Sequence, residues 1–296
     1  MSRAVHDREL LTTADNLDPA DAFSLLGNEH RIRILEALAT VDEPPVTFST
    51  LYGAVECTDS ALFNYHLDQL TGHFVTSTDD GYQLSQPGAK VVRAVLAGSI
   101  NTRPRGTIEI DDPCVHCSSQ LNAVYEDGML SLVCSQCDHG HGEYSFPPGG
   151  LNDRTDAEVL QAFDQRVKHL HCLAKDGVCH ECNGRVETTL ERDGDCCLGS
   201  QIRAEHECLQ CGYTLCSAVG LGLLDQSPVV SFYADHGIDL ATTPYWQLDW
   251  CVSDHPVNVL AEDPWEIAVT ITHGSASLEV LLNGSLEVLD TTRTTE

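Results

Sequence analysis

Thr58–Leu84, TDSALFNYHLDQLTGHFVTSTDDGYQL, holds the change of period that organises the chain. Its first half has helical spacing: Leu62, Leu67 and Leu70 fall on one face, and Ser60, Asn64 and Tyr65 lie away from it. After Gly72, the segments His73–Ser77 and Gly81–Leu84 flank Asp79-Asp80-Gly81, whose glycine supplies the positive φ that a tight hairpin needs. A helix with a free polar side followed at once by a hairpin predicts a recognition helix with its wing.

Outward from that stretch, the chain supplies further helices. Asp18 caps one, with Pro19 at its first position and Gly27 as its stop. Asn28 caps EHRIRILEALAT, with Ile32, Leu35 and Leu38 on one face, and Pro44-Pro45 ends the connection after it. Thr47 opens a short helix with Phe48, Leu51 and Val55 inward, and Pro87–Ala97 closes the set. Residues 1–17 are polar and predict a disordered tail. The order α-α-α-α-β-β-α over about 80 residues is that of a winged helix-turn-helix.

Three stretches carry a resemblance. Gly27–Leu35, GNEHRIRIL, resembles the opening helix of winged-helix regulators of the arsenical-repressor (ArsR) type. Asn64–Leu70, NYHLDQL, is similar to their recognition helix, and Tyr82–Gly88, YQLSQPG, to the exit from their wing. The resemblance covers roughly residues 18–98 and implies a transcriptional regulator that binds double-stranded DNA, such readers binding two half-sites as dimers. The metal-sensing cysteines of some relatives of this type have no clear counterpart, since only Cys57 lies in the region.

The length of 296 residues predicts two or three compact units. The 45 acidic residues outweigh 16 basic ones for a net charge of −29, and only Lys90, Lys168 and Lys175 are lysines. Acids spread along a foldable chain suit a cytoplasm of concentrated salt, where self-repulsion is screened within ~3 Å at 1 M; this predicts a halophilic source. Eight of the basic residues precede Gly106, against 14 of the acids, so the first third is the least hostile to a polyanion. No apolar run reaches the ~18 residues of a membrane span, and the N-terminus lacks the apolar core of a secretory signal. The expected location is cytoplasmic, with no membrane partner. Fourteen cysteines in a reducing compartment then point to metal rather than disulfides.

Cys114-Val-His-Cys117 and Cys134-Ser-Gln-Cys137 bracket LNAVYEDGMLSLV, which predicts two short strands about Glu126-Asp127-Gly128. Two CxxC turns at the tips of a small sheet give a zinc ribbon, with four cysteine thiolates in a tetrahedron. The pattern recurs at Cys179-His-Glu-Cys182 and Cys208-Leu-Gln-Cys211, with VETTLERDG and SQIRAEHE as candidate strands. Cys196-Cys197 between them is an alternative source of one ligand. His116, His139 and His141 are expected to stand by, because four thiolates close a shell, and Cys172, Cys216 and Cys251 to pack in apolar surroundings. Each ribbon is followed by a glycine-bearing turn, Phe146–Gly150 or Ala218–Gly222, and then by a helix, which suggests an internal duplication. The first such helix carries Leu160, Phe163, Val167 and Leu170 on one face; Val229, Phe232 and Tyr233 serve the second. Two structural Zn2+ ions follow from this reading, since an all-cysteine shell leaves no open position for catalysis.

From Trp246 the chain is expected to be strand-like, starting with YWQLDWCVSD and ending in an antiparallel meander whose turns are His273-Gly274 and Asn283-Gly284. Tyr245, Trp246, Trp250 and Trp265 are expected in its core. In the position of the ribbons and in the stretches Phe232–Gly237, FYADHG, and Leu248–Cys251, LDWC, residues 106–296 also resemble the C-terminal halves of haloarchaeal ArsR-type proteins, a likeness that implies no activity. The predicted fold class is α+β and multidomain: a tail at 1–17, a winged helix-turn-helix at 18–105, zinc ribbons at 106–150 and 177–216 joined by a helix at 151–176, and a helix with a β-meander at 217–296.

The expected function is sequence-specific DNA-binding regulation. Ser60, Asn64 and Tyr65 would meet bases or phosphate, and Thr76, Ser77 and Thr78 on the wing the backbone or minor groove. A homodimer is expected through Asp18–Leu26 and Ala89–Leu96, with Ala157–Lys175 as a second candidate surface. The alternative is a transcription-machinery protein that contacts polymerase or an initiation factor, as archaeal transcription factor E does. No Ser/His/Asp arrangement, phosphate loop or HExxH is present, so an enzyme is not expected.

Overall fold

A computed structural model describes residues 17–137, 139–192 and 201–294. The tail expected at 1–17 therefore lies, apart from Leu17, outside the described residues, as do Cys196 and Cys197. The described chain is α+β with four antiparallel sheets. It divides into two compact units, with the boundary between Thr102 and Arg103.

In the first unit, side-chain caps set the helices. Helices α1 (Pro19–Leu26), α2 (Glu29–Thr40), α3 (Phe48–Ala54) and α4 (Ser60–Leu70) start where Asp18, Asn28, Thr47 and Asp59 accept backbone N–H groups of the first turn. Strands β1 (Val75–Thr78) and β2 (Gly81–Leu84) pair from Val75–Leu84 to Thr78–Gly81, and α5 (Gln86–Leu96) begins at the Ser85 cap. Each such cap contributes about 1 kcal/mol. Ile34, Leu35, Leu51, Phe63, Leu67, Leu70 and Val75 make the core.

Two inner faces differ from the expected ones. In α4 the buried set is Phe63, His66, Leu67 and Leu70, while Leu62 is 39% exposed. Asp59 fixes the helical start, and from there Phe63 rather than its neighbour lies four and seven residues before Leu67 and Leu70; His66 stacks on His30 at 5.2 Å. In α2 the inner residue of the first turns is Ile34 instead of Ile32. The hairpin glycine has a second reason beyond its φ of +139°: a Cβ on Gly81 would lie 2.2 Å from the Val46 carbonyl oxygen, because Val46 bridges to Tyr82 across the start of β2.

The second unit begins with the sheet β3 (Gly106–Pro113), β4 (Gln120–Glu126), β5 (Met129–Cys134), β6 (Gly140–Ser145), paired in that order. A 3-10 turn at Pro148–Gly150 leads to α6 (Asp156–Lys175), which starts at a capping box of Thr155 and Glu158. A three-stranded sheet follows, β7 (Val186–Arg192), β8 (Ile202–Cys208) and β9 (Thr214–Ser217), then a 3-10 turn at Val219–Leu223 and α7 (Ser227–Asp235). Sheet, 3-10 turn, helix thus occurs twice in succession. The end is the expected meander: β10 (Val257–Glu262), β11 (Trp265–His273), β12 (Ala276–Asn283) and β13 (Val288–Thr294).

The sheets around the cysteines are larger than two hairpins, since β3, β6 and β9 add to them. The stretch at Trp246 is not a strand. Tyr245–Gln247 is a 3-10 turn and α8 (Asp249–Val252) a single helical turn. Trp246, Leu248 and Trp250 are buried while Gln247 and Asp249 are exposed, which is the alternation that suggests a strand; the segment nonetheless turns helically, and Trp250, Cys251 and Val252 in succession are all buried. Its polar tips find partners instead: Trp246 Nε1 donates to Asp112 Oδ2 (2.8 Å), Trp250 Nε1 to the Tyr233 hydroxyl (2.7 Å), and the Tyr245 hydroxyl to the His141 carbonyl (2.9 Å). These aromatics are core, as expected, with Trp265 packed at its margin.

One hydrophobic core runs through the segments 106–150, 151–176, 177–216 and 217–296. Helix α6 is its axis, burying Val159, Phe163, Val167 and Leu170 together with Asp164, Lys168 and His171, whereas Leu160 is half-buried. Lys168 Nζ donates to Asp164 Oδ2 (2.6 Å) and to the carbonyls of Leu240 (2.9 Å) and Thr243 (2.7 Å), and Asp164 Oδ1 accepts the Tyr245 N–H (2.8 Å). This buried pair pins the turn 239–245 onto α6.

His171 is held neutral: burial, then the charges of His206 and His180, push its pKa well below the ordinary 6.5. An unfolded chain takes up that proton below about pH 6.5 while the fold refuses it. Its contribution is complete above that pH and is lost as pH falls. An H171Q variant, which gives up the bond to the Tyr144 hydroxyl (3.0 Å), is expected to be weaker near neutrality yet less acid-sensitive. Urea midpoints followed by tryptophan fluorescence between about pH 7 and about pH 5 check this; equal slopes for the two proteins would contradict it.

Candidate metal centres

A CxxC turn must aim two sulfurs at one point, and the local backbone does so here in a repeated way. Cys114, Cys179 and Cys208 each accept the N–H of the fourth residue on (Ser118, Asn183, Gly212) at 2.8–2.9 Å. Each also donates its own N–H to the carbonyl five residues on (Ser119, Gly184, Tyr213). Ser118, Asn183 and Gly212 have φ of +60°, +58° and +72°, so one left-handed residue closes each turn. Cys134 instead leaves directly from the end of β5, and Gln136 N–H points to its sulfur at 3.4 Å.

The turns meet in pairs. The sulfurs of Cys114, Cys117, Cys134 and Cys137 lie within 4.8 Å of one another, and so do those of Cys179, Cys182, Cys208 and Cys211. Closest approaches are 3.4 Å (Cys117–Cys134) and 3.8 Å (Cys114–Cys137) in the first cluster, 3.5 Å (Cys182–Cys208) and 3.7 Å (Cys179–Cys211) in the second. A tetrahedral ion with bonds of about 2.3 Å to sulfur holds its ligands about 3.8 Å apart. Both clusters therefore fit a metal ion each. All eight cysteines read from the sequence are in these two groups.

Ionisation follows the same logic. The Ser119 hydroxyl and N–H hold the Cys117 thiol down to about 6. Burial raises Cys208, but the backbone N–H groups of Cys211 and Gln210 outweigh it and bring that thiol to about 6. Cys137 and Cys211 go the other way: the N–H of His139 or Tyr213 favours the thiolate, yet burial and neighbouring sulfurs push both up to about 12. Four thiolates so close are compatible only with a cation among them.

His141 is closer to the first cluster than its expected bystander role suggests. It is buried, its Nε2 lies 3.2 Å from Cys114 Sγ, and burial followed by His139 and His116 drives its pKa to about 4. A neutral ring donating to a sulfur is a supporting contact around a metal, not a ligand. Among the remaining cysteines Cys251 is buried, Cys172 and Cys216 are half-buried, and Cys57 sits half-buried in the turn before α4.

The second cluster has a tight spot that the sequence did not signal. A Cβ on Gly184 would lie 3.0 Å from Cys208 Sγ, 3.1 Å from Cys182 Sγ and 2.6 Å from Gln210 Cβ. The G184A variant is expected to hold the second metal at least about tenfold more weakly while the first is unaffected, the loss typical of disturbing a metal's supporting shell. Competition with a chromophoric chelator measures both steps; a single unchanged step for both metals would refute it.

The family described as a domain of unknown function (DUF7351) matches residues 111–288, more than half of the chain. The chain belongs to the DUF7351 family. Its matched segment contains both cysteine clusters, the sheets that present them apart from the start of β3, α6 and most of the meander. A second domain of unknown function (DUF7347) matches residues 19–95, the helices and hairpin of the first unit. No curated protein and no solved structure matches the chain. Within the DUF7347 segment, Ser60, Asn64 and Tyr65 are exposed on α4, and Thr76, Ser77 and Thr78 are exposed on β1. The Asn64 amide donates to Asp68 Oδ2 (2.9 Å), and the Thr78 hydroxyl to the Gly81 carbonyl (3.1 Å). The described helices include none long and apolar enough to cross a membrane.

Proposed function

We propose that this DUF7351 protein is a sequence-specific DNA-binding transcriptional regulator of the ArsR type. In it residues 18–102 act as a winged helix and residues 103–296 as a zinc-built sensing or partner-binding region. The observation that supports it is the polar exposure of consecutive elements of the first unit: Ser60, Asn64 and Tyr65 are exposed on α4, and Thr76, Ser77 and Thr78 on β1. An asparagine on such a helix can bond an adenine edge in two places, provided its amide leaves Asp68. Zinc is the ion that four thiolates in a closed tetrahedron favour, and it is structural in both clusters. A cytoplasm rich in salt suits the acid excess and leaves base contacts, rather than counterion release, to carry affinity.

A homodimer is supported by three apolar side chains left in solvent, Phe23 on α1, Leu96 at the end of α5 and Ile100 just beyond, exposed by 74, 60 and 72%. Sedimentation in molar KCl is expected to give a dimer for the natural chain and a monomer for the L96E/I100E double variant; equal masses would argue against this surface.

One observation favours a second reading, that of a transcription-machinery component. No lysine or arginine occurs between Thr58 and Leu84, and Leu62 and Tyr65 are exposed on α4 by 39% and 56%. A protein surface would suit that face as well as a groove. Selection of bound duplexes from a random pool in molar KCl separates the two. Enrichment of one motif, lost in N64A, supports the regulator; no enrichment overturns it in favour of the protein partner.

A further inference from the structure

Between the turn at Phe146–Gly150, α6 and the turn that carries Cys179 lies a cavity of about 460 Å³. Its floor is apolar, formed by Phe146 with Leu170 and Leu173 of α6, and its polar groups are Arg154, Arg166, His169 and His180. Arg166, His169, Leu170 and Leu173 recur at the three- and four-residue steps of one helical face, so a single stripe of α6 builds one wall.

The charge of this cavity runs against that of its surroundings. Residues 103–296 carry 31 acids against ten lysines and arginines, yet no carboxylate lines the cavity. Neither Arg154 nor Arg166 makes an ion pair among the described residues, although most other basic side chains of the unit do. Both are nonetheless held in place by the backbone. Arg154 Nη1 donates to the Gly150 carbonyl (2.8 Å) and Arg166 Nε to the Ser145 carbonyl (2.5 Å), which fixes each guanidinium at the rim. Of the acids beside the lining residues in sequence, Asp153 is exposed, the Glu158 carboxylate is occupied by the Thr155 cap, and Glu181 lies 3.1 Å from His180 Nε2.

We propose that this cavity binds a small organic anion, a carboxylate head with an acyl or aryl body. A guanidinium presents a planar fork that matches a carboxylate, and two such forks at the rim of an apolar hollow sort ligands by charge at one end and by fit at the other. The volume lies within the roughly 300–1,000 Å³ of small-molecule sites. Elsewhere in the unit most basic side chains are already paired with carboxylates, so this cavity is where the charge of such a ligand is best met. The site belongs to the second unit alone and holds whatever residues 18–102 bind.

The test uses the full chain with its metals, the fluorescent aryl anion anilinonaphthalene sulfonate as probe, and octanoate, octylammonium and octanol as competitors of one length. One saturable site per chain is expected, cleared by octanoate and not by octylammonium. The probe should bind about tenfold more weakly to R154Q, the effect of one lost charge-assisted contact, and not at all to A162W, which fills the cavity from α6. Arg154 is exposed and precedes the cap of α6, so R154Q keeps the metal content and fold of the natural chain and decides the matter if A162W does not. Equal binding to R154Q, or displacement by octylammonium as effective as by octanoate, overturns the proposal.

Discussion

Removing the metals is expected to unfold residues 103–296 as one body and leave residues 18–102 folded. Each cluster joins turns that are separated in sequence; Cys114, Cys179 and Cys208 are themselves buried, and Cys114 belongs to the common core. A structural zinc contributes roughly 10–16 kcal/mol of apparent binding energy in small peptides, against a net stability of about 5–15 kcal/mol for a whole domain. Loss of either ion therefore exceeds what the unit has to spare. All three tryptophans, Trp246, Trp250 and Trp265, lie in that unit, so their fluorescence reports on it alone. A chelator should shift their emission in a single cooperative step that follows the release of two ions per chain, while a helical far-ultraviolet signal persists. The C208S variant should carry at most one ion and show the shifted emission already without chelator. Unchanged emission after complete removal of metal would refute a folding role for the clusters.

The second large effect is expected at Lys168. The K168M variant leaves the Asp164 carboxylate buried without its cation, a change that costs about 3–5 kcal/mol. Burial already raises the Asp164 pKa, and the Lys168 ammonium is the chief force opposing that rise, with the Tyr245 N–H second. Without Lys168 the folded pKa climbs further above the unfolded one. The penalty is then fully present above the folded value and fades as pH falls through it, so K168M should gain on the natural chain in acid. The double variant K168M/D164L should recover part of the loss, short of the natural chain because the Tyr245 N–H keeps no acceptor. Urea denaturation of the three proteins at two pH values measures all of this; a K168M stability within about 1 kcal/mol of the natural chain would show that the pair is not what pins the turn.

What was legible in the sequence was local. Asp18, Asn28 and Thr47 mark helical starts because a cap bonds to residues two or three further on. The CxxC pairs reveal their ligands because a turn of four residues already aims two sulfurs. What escaped depends on neighbours far away. Lys168 and Asp164 look like an ordinary pair on a solvated helical face, and only the turn 239–245 buries them. The strands β3, β6 and β9 carry little signal: β3 alternates only at Ile108 and Ile110, β6 is broken by Gly140 and Gly142, and β9 is four residues long; their partners hold them extended. At Trp246 the aromatics and the alternation of Trp246, Leu248 and Trp250 with Gln247 and Asp249 suggest a strand, and the run Trp250–Val252, buried throughout, is a helical turn instead. The choice between Leu62 and Phe63 turned on one residue of phase.

His180 stands in two places at once: it is the second residue of the Cys179–Cys182 turn and part of the wall beside Arg166. A molecule that moved this ring on entering the cavity would shift the backbone between Cys179 and Cys182, and with it the grip of the second cluster on its ion. Linkage makes the exchange symmetrical, so the ion alters the affinity for that molecule by the same factor. Metal supply and metabolite level would then be read jointly, through a single histidine, as one quantity rather than two.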